Sequence, residues 1–368
     1  MRRVSAFSLQ PGMKVGRTVN SSMGEVLLKK GVTLTAGYIK RIVQMGIPFL
    51  YIADGLLDDF SAEDVVALET RMAAVQQVKN ILLNTKESGK LVIEPTSVYG
   101  TVGGLTDNLL SNRSLMFNLI DLRAQDDYTF AHSVNVCVLS LMTGITLGYN
   151  AEQLATLGVG ALLHDLGKVN IPETLLNKPA PLTAKEFDIM KKHTFYGYEL
   201  ISAAKELSYE QAAIALQHHE CLDGSGYPAG VSGDGILEYA QIVAIADKFD
   251  ALTANRIYRK AYPPHEAYEM CAGSGNYLFK DAVVKAFLHN IAAYPTGTMV
   301  ELTNGMLGVV LDTPKGYSRF PRVRLLIDRN RRPLKVRGEI SLTEQVGLFV
   351  VRVLEGAEIA SLLPLLEQ

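Results

Sequence analysis

Residues His164–Lys168 read HDLGK, and residues His218–Gly230 read HHECLDGSGYPAG. An adjacent His–Asp pair offers a metal one imidazole nitrogen and two carboxylate oxygens. A carboxylate that uses both oxygens can join two ions at the separation found in hydrolytic two-metal sites. The dipeptide alone is common. It gains weight from its surroundings: His132, His164–Asp165, His193, His218–His219 and Asp247 follow one another at gaps of 32, 28, 25 and 28 residues. Each gap is about one helix plus one loop, and one ligand group per successive helix is how a helical bundle builds a metal site in its core. Taken singly, His193 reads as an ordinary core or surface histidine. Asp247 does not, because it stands in the apolar stretch QIVAIADKFDAL, where an unpaired carboxylate is costly and calls for a cation or several donors. Seven such groups in helical register predict a metal site.

The ordered motifs around these residues resemble the HD-GYP proteins, a branch of the HD metal-dependent phosphohydrolases, from about Asp126 to Pro295. YTFAHSVNV supplies His132, and HDLGK supplies His164, Asp165 and Lys168. The HxxxG pattern supplies His193 with Gly197. The long motif supplies His218, His219 and the triplet Gly226–Tyr227–Pro228. The ADxxDAL segment supplies Asp247, and an Arg-x-x-Arg pair after it supplies Arg256 and Arg259. The resemblance implies an HD-type helical bundle as catalytic core, and hydrolysis of cyclic di-GMP to the linear dinucleotide pGpG and often on to GMP. Two departures stand out. Some members carry a glutamate four residues before the first histidine, which helps to bind a third metal. Here that position is Tyr128, and a phenol of pKa about 10 is a poor ligand for a hard divalent ion. Asp126 and Asp127 read as N-cap residues, so two ions are expected. Where many members have Arg-Pro-Tyr-Arg, this chain has Arg256–Ile257–Tyr258–Arg259, which keeps the basic groups.

The chemistry follows from the residue types. Two close divalent ions lower the pKa of a bridging water so that hydroxide exists near neutral pH, and they neutralise phosphoryl oxygens during in-line attack. Asp165 is expected to bridge. His132, His164 and Asp247 complete one ion, and His193, His218 and His219 the other. Five imidazoles and two carboxylates without a thiolate suit iron or manganese, zinc less well, and calcium or magnesium poorly. Lys168, one turn beyond His164, is placed to hold a non-bridging phosphate oxygen. Arg256 and Arg259 would clamp the second phosphate. Asp250, three residues after Asp247, shares its helical face and would orient a ligand histidine. Two glycines and a proline within DGSGYPAG make a tight loop that brings backbone amides of Gly226, Tyr227 and Pro228's neighbourhood to a nucleotide, with the Tyr227 ring available to stack on a base.

Composition bounds the rest. The 368 residues are 48% hydrophobic, enough for more than one domain, and the net charge of −2 gives no basic surplus for polymeric nucleic acid or a membrane surface. Cys137, Cys221 and Cys271 are scattered, which fits reduced thiols in a cytoplasm. Cys221 follows the histidine doublet but lies outside the ligand set. No apolar leader is visible at the N-terminus, and the most apolar window, about Val134–Leu147, reads as a bundle helix too short to span a bilayer.

Four segments are expected. Residues 1–58 alternate short apolar runs with glycine turns around a helix at Ala36–Gln44, a small α/β module. Residues 59–122 read as connecting helices. The first runs from an N-cap at Ser61 to Gly89, with a stripe of Val65, Leu68, Met72, Val75, Val78 and Leu82. The second spans about Ile93–Leu122. These helices offer a surface for a homodimer or simply pack on their own core. Residues 123–292 form the catalytic part, with helices at Glu152–Leu166, Thr183–Ala204, Ser208–Cys221 and Glu238–Ala254. Thr183/Glu186 and Ser208/Gln211 read as capping boxes. Residues 293–368 turn to strands, TMVELTN, GMLGVVLDT, RVRLLID, RPLKVRG and LFVVRVLE, a small β-barrel or sheet. The arginines at 319, 322, 324, 329, 331 and 332 make it locally basic, which reads as a solvated surface before it reads as an anion site.

The chain is thus expected to be mainly α with two small flanking modules, and to be a cytoplasmic, two-metal cyclic di-GMP phosphodiesterase. The alternatives are a phosphodiesterase for another cyclic dinucleotide, a catalytically weak cyclic dinucleotide receptor, and an HD-type di-iron oxygenase. The receptor would lack ligands, and none of the seven is missing. The oxygenase would need neither the GYP loop nor the arginine pair.

Overall fold

The computed structural model describes residues 1–21, 24–57, 64–117, 128–255 and 261–366. Two compact units divide them, and neither is one continuous stretch of chain. The first gathers residues 1–64, 114–126 and 291–368, and the second gathers residues 65–113 and 127–290.

The first unit begins with β1 (Arg2–Ser5), β2 (Lys14–Val15), β3 (Val19–Asn20), β4 (Val26–Leu28), α1 (Ala36–Gln44) and β5 (Phe49–Ala53). The helix has the expected bounds, and Thr35 caps it by accepting from the Tyr38 amide, the usual role of a threonine there. β5 is the central strand of an antiparallel sheet in the order β1-β5-β2, with Arg2 opposite Ile52 and Ser5 opposite Phe49. Val4, Val15, Ile42, Leu50 and Ile52 close a small apolar core.

The second unit is helical. α2 (Leu68–Ser88) and α3 (Pro95–Ser111) lead into α4 (Tyr128–Thr146) and α5 (Ala151–Leu163). α6 (Glu173–Leu176), α7 (Ala184–Lys191), α8 (His193–Ser202), α9 (Tyr209–Gln217), α10 (Glu238–Thr253), α11 (Pro264–Ala272) and α12 (Asp281–Leu288) follow. α4 is central: it packs on α2, α5, α10 and α12, and Val134, Val136, Val138 and Leu141 on it have no exposed surface. The helix extends beyond the apolar window Val134–Leu147 at its start, to Tyr128. Its window Thr129–Thr146 has a mean hydropathy of 1.3 and is long and apolar enough to cross a membrane by length and composition, but 78% of it is buried in the protein. The window is therefore not too short, as its sequence suggested, and burial identifies it as a core helix.

Several boundaries differ from the sequence reading. α2 starts at Leu68, and the expected cap Ser61 lies outside the described residues. Its buried face runs through Ala74, Val75, Val78, Ile81 and Thr85, while Leu68 is exposed. α3 ends at Ser111 rather than near Leu122. Both helices pack within the helical unit, α2 on α4 and α3 on α5. The expected single helix over Thr183–Ala204 is two, broken at Lys192. The capping boxes at Thr183/Glu186 and Ser208/Gln211 are formed, and a third joins Asn150 to Gln153.

The first unit is completed by β6 (Met299–Leu302), β7 (Leu307–Asp312), β8 (Arg322–Ile327), β9 (Glu339–Ser341), β10 (Val350–Val353) and α13 (Gly356–Leu366). The strands form one antiparallel sheet in the order β10-β6-β7-β8-β9. RPLKVRG is not a strand; only Pro333 bridges to Ile327, and the strand beside β8 is the next segment, β9. The terminal helix was not anticipated. Arginines here are met by local acids: Arg322 pairs with Asp312, Arg324 with Glu339 and Arg331 with Glu301. That matches a solvated surface.

Candidate metal centre

Each of the seven residues singled out in the sequence sits at the end or on the inner face of a helix of the second unit. His132 is on α4, and His164 and Asp165 follow α5. His193 opens α8, His218 and His219 follow α9, and Asp247 is on α10. Their ligand atoms converge. Three groups have donor atoms all within 4.8 Å of one another: His193, His218 and His219; His132, His164 and Asp247; and His164, Asp165 and His218. Asp165 lies among them, 3.4 Å from His164 Nε2 and His193 Nε2, 3.7 Å from His132 Nε2 and 3.9 Å from His218 Nε2.

Three of the histidines are oriented by one local device. A helix leaves its last carbonyls without an amide partner. Here the Nδ1–H of His164 donates to Ala161 O at 2.7 Å, that of His193 to Met190 O at 2.7 Å, and that of His218 to Ala215 O at 2.9 Å. Each ring takes the carbonyl three residues back. This bond fixes the tautomer and turns the Nε2 lone pair toward Asp165. It also ends α5 at Leu163, before the expected Leu166, and interrupts the helix at Lys192. Thr194 adds to that break by donating to Lys191 O at 2.9 Å, since side chains that occupy carbonyls compete with the ladder. His132 is held differently: Nδ1 lies 2.8 Å from Asp250 Oδ2, and Nε2 lies 3.1 Å from Asp247 Oδ1. Asp250 is fully buried.

Two glycines permit the convergence. A Cβ on Gly167 would fall 2.0 Å from His193 O and 2.4 Å from Gly197 N, so the turn Leu166–Asn170 and α8 meet backbone to backbone. A Cβ on Gly226 would fall 2.5 Å from His219 O and Cys221 N, which seats the GYP loop on the histidine doublet. Tyr227 stacks on His219 at 4.6 Å between ring centroids, 28° between planes, and the Tyr227–Pro228 peptide is cis. Sequence reasoning missed what holds this loop. Glu220 is buried, and its two carboxylate oxygens accept from Ala229 N at 2.8 Å and Val231 N at 3.0 Å. A signal was present, since an acid directly after two inward-facing histidines needs donors from somewhere. Lys168 Nζ lies 2.5 Å from Asp165 Oδ2 and is part-exposed. Cys221 is reduced and half-buried, and burial pushes its thiol up. Arg256 and Arg259 lie outside the described residues, as do Asp126 and Asp127.

The electrostatics suit a cation. Burial opposes ionisation of Asp165, yet Lys168 and the His164 ring hold it well below the usual carboxylate range. Asp247 is likewise held down against burial by His132. Burial lowers His193, drives His218 well below the ordinary imidazole value with help from His219, and takes His219 to about 3. Burial pulls His132 down too, but Asp247 and Asp250 outweigh it and push the ring up to about 9. The neutral rings create a conflict. His193 Nε2 and His218 Nε2 face each other at 3.4 Å, and with both protons on Nδ1 two lone pairs meet. Among the described residues, His164 Nε2 and Asp165 Oδ1 are buried with no hydrogen-bond partner. Unsatisfied buried acceptors cost about 1–3 kcal/mol each, and divalent cations held among these groups would satisfy them. The residues present therefore fit one or more metal ions.

Comparison with known proteins agrees with the motifs. Residues 114–279 match the family model described as HD domain, and residues 299–362 match a KOW domain associated with HD domain. The cyclic di-GMP phosphodiesterase PA4108 of Pseudomonas aeruginosa is 33% identical over 63% of this chain and 56% of its own length. The cyclic di-GMP phosphodiesterase response regulator RpfG of Xanthomonas campestris is 42% identical over 40% of this chain and 39% of its own. A 3'3'-cGAMP-specific phosphodiesterase of Vibrio cholerae is 34% identical over 49% of this chain and 35% of its own. The chain thus spans about half the length, or less, of these curated relatives. Residues 114–279 thus carry an HD domain, and the ordered motifs within it resemble those of the HD-GYP branch.

Proposed function

We propose that this chain is a metal-dependent phosphodiesterase that opens cyclic di-GMP to pGpG, with GMP as the product of a second cut. The observation that carries the reading is the convergence of five imidazoles and two carboxylates, Asp165 and Asp247, with buried acceptors that no protein donor meets. In this reading two divalent ions, iron or manganese, would be held by these residues, Asp165 serving both, with His132, His164 and Asp247 serving one and His193, His218 and His219 the other. Ions held there supply an ionised water at neutral pH and neutralise charge on the phosphoryl oxygens. The chain's own groups position the substrate. The ammonium of Lys168 stands beside Asp165 and has exposed surface from which to meet a non-bridging phosphate oxygen. Gly226 and Pro228 shape the loop that walls the site, and Tyr227 faces it. Arg256 and Arg259 take the second phosphate. Asp250 fixes the His132 ring through Nδ1.

The names of the relatives support this reading, and one of them favours a second: hydrolysis of 3'3'-cGAMP, a cyclic dinucleotide with one adenine. Chromatographic product analysis of the manganese- or iron-loaded protein tests both. Cyclic di-GMP should be consumed with pGpG appearing first, and Asp165→Ala should lose turnover by several orders of magnitude. Undiminished activity in Asp165→Ala would overturn the mechanism.

A further inference from the structure

We propose that Phe187 and Lys191, both on α7, form the subsite that receives one guanine of the substrate and set a preference for guanine over adenine. This rests on the phosphodiesterase reading and deepens it. Phe187 is 42% exposed. A singly exposed aromatic is ordinary on a protein surface, but this one is placed. Its ring lies 5.9 Å from that of Tyr227, with 79° between planes, and Tyr227 in turn stacks on His219. One face of Tyr227 is therefore already covered, and Phe187 is the aromatic of the group with the larger open surface. It stands two ring contacts from a candidate metal residue, within reach of a base whose phosphate lies at that centre. The spacing of Phe187 and Lys191 is one helical turn, which puts them side by side. Lys191 Nζ is 4.9 Å from the Phe187 centroid and 5.9 Å from that of Tyr227, and Asp188 Oδ1 steadies it at 3.0 Å. α7 is itself fixed at its start, where Glu186 closes the capping box and accepts from Lys178 at 2.6 Å.

The chemistry of this pair selects among bases. Any purine stacks on a phenyl ring. Guanine offers two acceptors, O6 and N7, on one edge, whereas adenine offers N7 beside an N6 donor. An ammonium only donates, so Lys191 meets guanine without conflict and opposes the adenine N6 group.

Steady-state hydrolysis by the manganese-loaded full chain tests the pair. Phe187→Ala should raise KM for cyclic di-GMP about tenfold with kcat within twofold, and Phe187→Tyr should restore it. Lys191→Met should cut the kcat/KM preference for cyclic di-GMP over cyclic di-AMP by about fivefold, with bound metal unchanged. A second readout is independent of turnover. The chain has no tryptophan, so Phe187→Trp places a single indole at the subsite. GMP should quench its emission saturably, AMP more weakly, and inorganic phosphate not at all. Unchanged KM in Phe187→Ala, or no quenching by GMP, overturns the subsite. If the wild-type protein hydrolyses no cyclic dinucleotide while GMP still quenches, the reaction falls and the purine subsite stands. If neither occurs, both fall.

Discussion

At the scale of single residues, the centre is organised by protons on atoms that face away from it. His164, His193 and His218 each spend Nδ1–H on the carbonyl three residues earlier, and His132 spends Nδ1 on Asp250. Orientation of a ring by its far nitrogen is worth about 10–100-fold in metal affinity. Asp250→Ala should therefore weaken the metal bound at His132 by that factor, measured by competition with a chelator, while unfolding stays cooperative. Unchanged affinity would mean that packing alone fixes the ring. The gathering of the seven residues was legible in the sequence, because types that bind metals recur at one helix plus one loop and Asp247 lies in an apolar run. Asp250 was legible from its spacing to Asp247. Glu220 was not read, because its role lies in backbone amides nine and eleven residues ahead, and no periodicity reports a loop folding back on a carboxylate.

Elements meet here at distances that only glycine allows. Gly167 brings the turn after α5 against the first turn of α8, and His193 arrives beside Asp165 as a result. Gly167→Ala forces a methyl into the His193 carbonyl. Overpacking of this kind costs about 1–3 kcal/mol, so denaturant unfolding should show that loss. Elemental analysis should show reduced metal, since α8 must retreat with its ligand. A fully stable, fully loaded Gly167→Ala protein would refute the close approach. The helices as such were legible from apolar spacing and capping residues: the bounds of α1 and the boxes at Thr183 and Ser208 match. Their ends were misplaced for a physical reason. Propensity extends a helix until a proline or glycine stops it, but His164 and His193 stop theirs by occupying carbonyls. The fourth C-terminal strand was misplaced on RPLKVRG because alternation alone does not tell a paired strand from an extended loop. α13 carries Pro364 within it, a residue that argues against a helix when read locally.

At the scale of the whole molecule, the two ends of the chain share one unit. Gly297 and β1 show how closely: Arg3 N donates to Gly297 O at 3.0 Å, and a Cβ on Gly297 would fall 2.8 Å from Arg3 N. The same unit carries a half-buried amine. Lys315 donates to Leu115 O at 3.2 Å, and burial lowers its pKa from 10.5 to about 8. The unfolded chain thus holds a proton more readily than the fold does, so stability rises with pH through the window from about 8 to 10.5 and the burial cost is greatest below it. Lys315→Met should raise the thermal midpoint at neutral pH, and the gain over wild type should shrink as the pH is taken through that window. A pH-independent difference would show that packing, not charge, separates the two. The shared unit also sets a timetable for synthesis. Residues 1–64 are made well before the sheet that completes their unit, which begins only after residue 291. At roughly 5–20 residues per second, that delay is on the order of tens of seconds. The helical unit, whose last residue is 290, can fold in that interval, and residues 4–52 can close their own apolar core of Val4, Val15 and Ile52, which leaves the backbone bond from Arg3 to Gly297 among the last to be made.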